Sequence, residues 1–366
     1  MSSKLKSAFL ACMLFGAFSL VGCGAKTPTA DIQPHLISTP DSSPVRPIDG
    51  FESVELSTFS GTLSDEQYRD RVDELYSIVV DDGKKPIFKS DDPVKAVYDG
   101  AINILDKYIL NKWQDGSESG ERSIVHTIHD YLITNVTYDF ELFDSSRNDE
   151  NLKNNPAFYI DGVFLNGRAV CDGLARAVNF LCAIEGIESM RVTGSYASGP
   201  HAWNKVKIGG KWYNIDVTAD SANYTVNGGY EKQISHGFFM LSDDSMRRFQ
   251  PQAHVFDTLD NIALEDYSYY ADKTVTVGEA VYPSVISSQA MLNNLFADIY
   301  AQKRTIGKIE VQLSFPDKAN INAADMYASE IAEAYRQIKD ADFSITNSTR
   351  PYFQYPNGVY MFLIYL

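Results

Sequence analysis

Hydrophobic residues along this chain alternate between two periods. From Cys171 to Glu185, Leu174, Val178, Leu181 and Cys182 recur at helical spacing, and Gly186 ends the run. Upstream, Ser64 caps a helix reaching Val80, and Asp81-Asp82-Gly83-Lys84-Lys85-Pro86 breaks it. Asp92-Pro93 then opens a second helix with Val97, Ala101, Ile104, Leu105 and Tyr108 on one face. Ser119–Asn135 reads as a third, with Ile124, Ile128, Tyr131 and Leu132 along one side. The period then changes: His201–Ile208 and Lys211–Thr218 read as strands about Gly209-Gly210, a two-residue turn. Polar loops follow at Asp144–Pro156 and Asp220–Gln233, and His236–Leu241 is an apolar strand. From about Ala271 the pattern predicts a helix (Ser284–Gln302), a strand (Lys308–Phe315), a helix (Ala323–Lys339) and two strands, Phe343–Thr349 and Val359–Leu366. Pro356-Asn357-Gly358 supplies the turn between those strands, and the last one, apolar nearly throughout, is read as central. That order suggests a small α+β unit with helices on one face of a mixed sheet.

The pattern puts chemistry in two places. Cys171 begins its helix, where free backbone N–H groups and the helix dipole stabilise a thiolate. The same N–H groups can donate to an oxyanion. If Ile208 pairs with Lys211, Trp203 faces Asp216, and His201 and Asp216 are diagonal neighbours on one face with Cβ atoms about 7 Å apart. A helix-borne thiol, an imidazole base and a carboxylate that orients it are the parts of a nucleophilic acyl-transfer triad.

Those residues lie in Gly167-Arg168-Ala169-Val170-Cys171-Asp172-Gly173-Leu174-Ala175, Pro200-His201-Ala202-Trp203-Asn204 and Tyr213-Asn214-Ile215-Asp216. In order and spacing they resemble the transglutaminase-like superfamily, especially its bacterial surface members, over roughly Glu121 to Asp257. The resemblance implies an α+β, papain-like fold, with the cysteine helix against an antiparallel sheet. It also implies Cys171, His201 and Asp216 as the triad, with Asn166 and Tyr159 as candidates for the side chain completing the oxyanion hole. No EF-hand-type loop occurs, so the calcium dependence of animal transglutaminases is not carried over, and no cofactor is expected.

Composition narrows the setting. The 366 residues are 44% hydrophobic with 22 Tyr and 20 Phe, a globular content. The net charge is −16 with no basic run beyond the first six residues, which argues against nucleic acid as a partner. Lys4 and Lys6, the apolar stretch Ala8–Val21 and Leu20-Val21-Gly22-Cys23 read as a signal peptide ending in a sequence that resembles a bacterial lipobox. Cleavage before Cys23 and lipidation of its thiol would anchor the chain to the outer face of the bacterial cell membrane. The apolar stretch is too short for a membrane-spanning helix of about 20 residues. Residues 23–60, rich in Pro, Ser and Thr, read as a flexible tether. Beyond it the expected units are a helical segment (61–118), the catalytic domain (119–270) and the C-terminal unit (271–366).

Cys12 leaves with the signal, so Cys171 and Cys182 remain. Eleven residues of helix separate them by about 16 Å, beyond the roughly 7 Å a disulfide spans. Cys171 is therefore read as a free thiol and Cys182 as core packing. His126 and His129 share a helix at a spacing also compatible with metal binding, but no third ligand is evident and they read as surface or partly satisfied histidines. His236 and His254 have no partner identifiable from sequence. The expected activity is attack of Cys171 on an amide carbonyl, with His201 moving the proton and a thioester forming at the cysteine. Water as acceptor gives a peptidase or amidase and is slightly favoured, while a lysine amine gives a transglutaminase. The alternative is a non-enzymatic surface module that kept the fold. The partner in either case is a protein or peptide at the cell surface. The C-terminal unit is open between a recognition module and support.

Overall fold

The structure, a computed structural model, describes residues 46–59, 61–113, 115–147, 149–196, 199–226, 229–249, 253–302, 307–318, 326–336 and 352–364. The expected signal peptide, Cys23 and the strand Phe343–Thr349 lie outside the described residues. Short strands β1 (Ser53–Glu55) and β2 (Lys85–Ile87) bracket helix α1 (Asp65–Val80), and α2 (Lys95–Tyr108) and α3 (Glu118–Asn135) follow. Next come β3 (Thr137–Tyr138), α4 (Phe140–Ser146), α5 (Ile160–Asn166), β4 (Arg168–Ala169) and α6 (Cys171–Ile184). Ser64 starts α1 with a reciprocal cap: its hydroxyl accepts from the Gln67 N–H at 3.3 Å, and the Gln67 side chain accepts from the Ser64 N–H at 2.9 Å.

Helix α6 is the hub of the larger core. Its apolar residues are buried all round, not along a single stripe, because α1, α3 and α5 close over it while the sheet supports its remaining side. Phe180 meets Tyr76, Tyr98 and Phe164, so α1 and α2 share one core with the cysteine helix. The tether expectation is corrected here. Ile48 and Leu56 are buried in that core, and the Arg46 guanidinium pairs with Asp106 and Glu185. A Pro/Ser-rich composition hid two apolar anchors, and the folded body begins no later than residue 46.

The sheet beneath is antiparallel, in the order β10-β7-β6-β5-β11. Its strands are β5 (Ser189–Tyr196), β6 (Gly199–Ile208), β7 (Lys211–Ile215), β10 (Phe239–Leu241) and β11 (His254–Phe256). Ile208 pairs with Lys211 as the turn requires, and Gly209 and Gly210 have φ of 56° and 80°, the left-handed values of that hairpin turn. Strand β7 stops at Ile215 rather than Thr218. At the other edge Gly194 lets β5 approach β11 closely: a Cβ there would lie 1.8 Å from the Val255 carbonyl oxygen. The region read as a polar loop at 220–233 is instead a hairpin, β8 (Ser221–Val226) with β9 (Gly229–Ile234). The apolar run at 236–241 forms a strand only from Phe239, and a register irregularity in its pairing with β7 coincides with Met240 at φ 61°.

Strands β12 (Thr274–Val277) and β13 (Ala280–Pro283) form a hairpin that the pattern did not suggest. The predicted helix at 284–302 is split into β14 (Val285–Ile286) and α8 (Gln289–Ala301). Beyond them lie β15 (Gly307–Leu313), α9 (Ala328–Arg336), β16 (Tyr352–Gln354) and β17 (Val359–Ile364). The sheet runs β14-β15-β17-β16, with β14 parallel to β15 and the other pairs antiparallel, so it is mixed and β17 is internal. A second core fills this unit, drawing among the described residues on positions from Val277 to Phe362. A third cluster joins the two: Tyr355, Val359 and Met361 pack with Val192, Trp203 and Phe238 of the five-stranded sheet and the segment leading into β10. The α+β expectation thus holds, with a cysteine helix against an antiparallel sheet.

Candidate active site

Three chain segments deliver the candidate triad. Val170, in extended conformation, leads into α6, so Cys171 is the first helical residue and is buried. Asp172 does not face the chemistry: its carboxylate pairs with Arg191 on β5 and Arg176 on α6 itself, tying the helix start to the sheet. His201 sits on β6, and its Nε2 is 2.7 Å from Asp216 Oδ2. With Nε2 committed there, Nδ1 is the nitrogen left for the thiol, and the Cys171 side chain interacts with this imidazole.

Asp216 lies one residue beyond β7 and is fully buried. Its Oδ1 accepts from the Ala219 N–H at 2.9 Å, which closes the turn that carries it. Oδ2 is shared by two imidazoles, His201 and His254, the latter at 2.8 Å through its Nε2. Burial would raise the Asp216 pKa, but the two histidines hold it well below the usual carboxylate range. Burial likewise opposes charge on His201. The carboxylate, with a smaller contribution from Cys171, overrides it and holds the imidazole up to about 10. His254 behaves oppositely. Burial outweighs the attraction of Asp216 and pushes its pKa down, so it is the neutral donor of the pair. Its Nδ1 is buried with no partner among the described residues.

The oxyanion candidates require correction. Asn166, at the end of α5, is exposed, and the Tyr159 ring lies under the Arg69 and Arg176 guanidinium groups, 4.5 and 5.1 Å from its centroid. The structure brings Tyr138 to the cysteine instead. Strand β3 runs parallel to β4 with Tyr138 opposite Ala169, and the phenol meets both the thiol and the backbone N–H of Cys171. Burial, then the neighbouring thiol, pushes its pKa up, so the hydroxyl stays a proton donor. The Thr137-Tyr138 signal lay in the segment before Asp139, too short a strand to register as one. His254 was missed for a different reason: it is 38 residues beyond Asp216 and reaches it only through the β5–β11 edge pairing.

Cys171 and Cys182 are both free thiols. Cys182 is fully enclosed in the core, and burial pushes its thiol up to about 12. Iodoacetamide should therefore label Cys171 of the folded protein much faster than Cys182, as read by peptide mass spectrometry. Equal labelling, or faster labelling of Cys182, would remove the basis for calling Cys171 a nucleophile.

The Asp216 contact also makes a pH prediction. A raised folded-state pKa keeps His201 protonated through neutral pH, the charge being lost only as pH rises through about 10. Replacing Asp216 by Asn should shift that titration towards the ordinary 6.5, followed on the ring nitrogens by NMR. An imidazole in the parent protein that already titrates at its ordinary value would contradict the assignment.

Comparison with known proteins comes to the same region. Residues 110–217, which include Cys171, His201 and Asp216, match the model of the transglutaminase-like superfamily core. A solved structure described as a TGase is 22% identical, with 46% of this chain and 43% of that chain covered and a TM-score of 0.31. A candidate cysteine protease from Cytophaga hutchinsonii is also 22% identical, covering 38% of this chain and 42% of its own at a TM-score of 0.24. This chain thus spans less than half the length of either. No curated protein matches it. Over residues 110–217 the chain is thus similar to the transglutaminase-like superfamily core.

Proposed function

We propose that the protein is a cysteine enzyme that opens amide bonds through a thioester on Cys171. The observation that carries this reading is the buried His201–Asp216 contact of 2.7 Å, with the imidazole against a thiol at a helix N-terminus. Cys171 Sγ adds to the carbonyl carbon as a thiolate, which the helix dipole and the His201 imidazolium stabilise. The carbonyl oxygen takes up negative charge beside the backbone N–H of Cys171 and the Tyr138 hydroxyl, which contact each other in the resting site and turn to the oxyanion when substrate enters. His201 gives its proton to the departing nitrogen, and the C–N bond breaks to leave the thioester. Neutral imidazole then takes a proton from the incoming nucleophile. Asp216 holds the ring and its charge throughout, with His254 fixing the carboxylate.

Water and a primary amine can both resolve the thioester, and the balance rests on how well water is kept from it. We favour water, which makes the protein a peptidase or amidase; amine transfer would make it a cross-linking transglutaminase. Peptides containing glutamine, offered with and without a primary amine and read by mass spectrometry, separate the outcomes. Hydrolysis gives a cleaved or deamidated product in both cases, transfer gives an amine adduct, and Cys171→Ala should abolish either. If a broad peptide panel yields no product that depends on Cys171, the enzyme reading falls and a binding module takes its place.

The setting proposed for this chemistry is the outer face of the bacterial cell membrane, with Cys23 carrying a lipid and a protein or peptide as substrate. Among the described residues no helix is long and apolar enough to cross a membrane. Cys23→Ser should leave an uncleaved precursor when the full gene is expressed in a bacterial host. Maturation of that variant after Gly22 would overturn the lipid anchor.

A further inference from the structure

Beyond the catalytic residues, the structure gathers a second set of titratable side chains where α3, the β9–β10 loop and the segment before β12 meet. His126 and Asp130 are one turn apart on α3 and face the same way. His236, from the loop, closes on both. Its Nε2 is 3.1 Å from His126 Nε2 and 2.9 Å from Asp130 Oδ1, and His126 Nε2 is 3.4 Å from Asp130 Oδ2. Two imidazole nitrogens and a carboxylate thus aim at one point. A tetrahedral ion 2.0–2.1 Å from its ligands sets them about 3.3–3.4 Å apart. The observed separations lie at that spacing or up to about half an ångström below it, so the ligands need to part only slightly.

The surroundings are those of a metal centre. His236 Nδ1 faces Glu310 Oε2 at 3.5 Å, which fixes the ring with Nε2 pointing inward. Asp130 Oδ1 accepts from His129 Nδ1 at 2.9 Å, and His129 Nε2 meets Asp220 Oδ2 at 3.1 Å. His129 is therefore consumed by two carboxylates and fully buried, satisfied but not at the surface, while His126 partners Asp130 and His236. The Tyr269 hydroxyl lies 3.0 Å from His126 Nε2, and its ring stacks on His236 at 4.1 Å between centroids.

The geometry points to a structural site for a divalent transition ion of the zinc class, ligated by His126 Nε2, His236 Nε2 and Asp130. Imidazole pairs with one carboxylate suit zinc and its neighbours better than calcium or magnesium, which take oxygen shells. The ion clamps α3 to the loop leading into β10. From there the path to the triad is short. Asp220 Oδ1 accepts the Phe238 N–H at 2.9 Å, Phe238 O accepts the Asp216 N–H at 3.1 Å, and the Asp220 N–H donates to Asp216 O at 3.0 Å. Glu310, on β15, brings the C-terminal unit into the same centre.

The test uses the purified full-length protein, stripped with chelator and titrated with Zn²⁺ and Co²⁺. One equivalent should bind with micromolar or tighter affinity, Co²⁺ should show the intense visible bands of a tetrahedral site, and Zn²⁺ should raise the melting temperature. His126→Gln and His236→Gln should each weaken binding at least ten-fold and lose the thermal shift, while His254→Gln should keep both. The His126 side chain is 32% exposed, so its variant should remain folded, checked by circular dichroism. Failure of the parent to bind Zn²⁺, or unchanged binding in both Gln variants, overturns the site. Binding lost only in His254→Gln would put the ion on the Asp216 cluster and overturn it equally.

Discussion

The candidate site is arranged around a single buried carboxylate oxygen. Asp216 Oδ2 is shared by His201 and His254 at 2.7 and 2.8 Å, in a place where an unpaired charge would cost several kcal/mol. Everything around it serves to make that charge affordable. The Ala219 N–H closes the turn onto Oδ1, Phe238 and Asp220 brace the backbone, and Trp203 and Tyr196 wall the imidazoles from water. The carboxylate favours the charged form of His201, so one electrostatic contact bears on both the fold and the candidate site.

The sheet that bears this contact is itself pinned from within. Lys205, on the same strand as His201, is buried with its ammonium 2.9 Å from Asp243 Oδ1 and against the carbonyls of Asp260 and Asn261. Asn214, two residues before Asp216, accepts the Trp203 indole N–H and donates to Asp243 and the Leu241 carbonyl. These interactions lock β6, β7 and β10 against α7 (Asp243–Arg248), so the separation of His201 and Asp216 is set by a polar network as well as by the hairpin.

How much of this could be read from the chain depends on the range of the signal. The Gly209-Gly210 turn demands positive φ at two successive residues, which leaves one register and places His201 with Asp216. Cys171 was legible because helix starts are local. His254 was not, since its partner lies across an edge pairing with no local mark. The proposed metal-ligating set was half visible: His126 and His236 were in view, but Asp130 resembled any charged helix residue and nothing local joined the loop of His236 to α3. Residues 46–60 were misread because two buried side chains, Ile48 and Leu56, are too sparse to show a period. The 220–233 hairpin was misread because polar strands give no apolar alternation to count.

Gly194 extends the reach of the active site in a different sense. It touches no substrate, yet β11 lies against β5 only because this position lacks a side chain, and β11 is what brings His254 to Asp216. Any side chain at this position would meet the Val255 carbonyl and push β11, and His254 with it, away from β5, so Gly194 serves the site as a spacer and not as a participant.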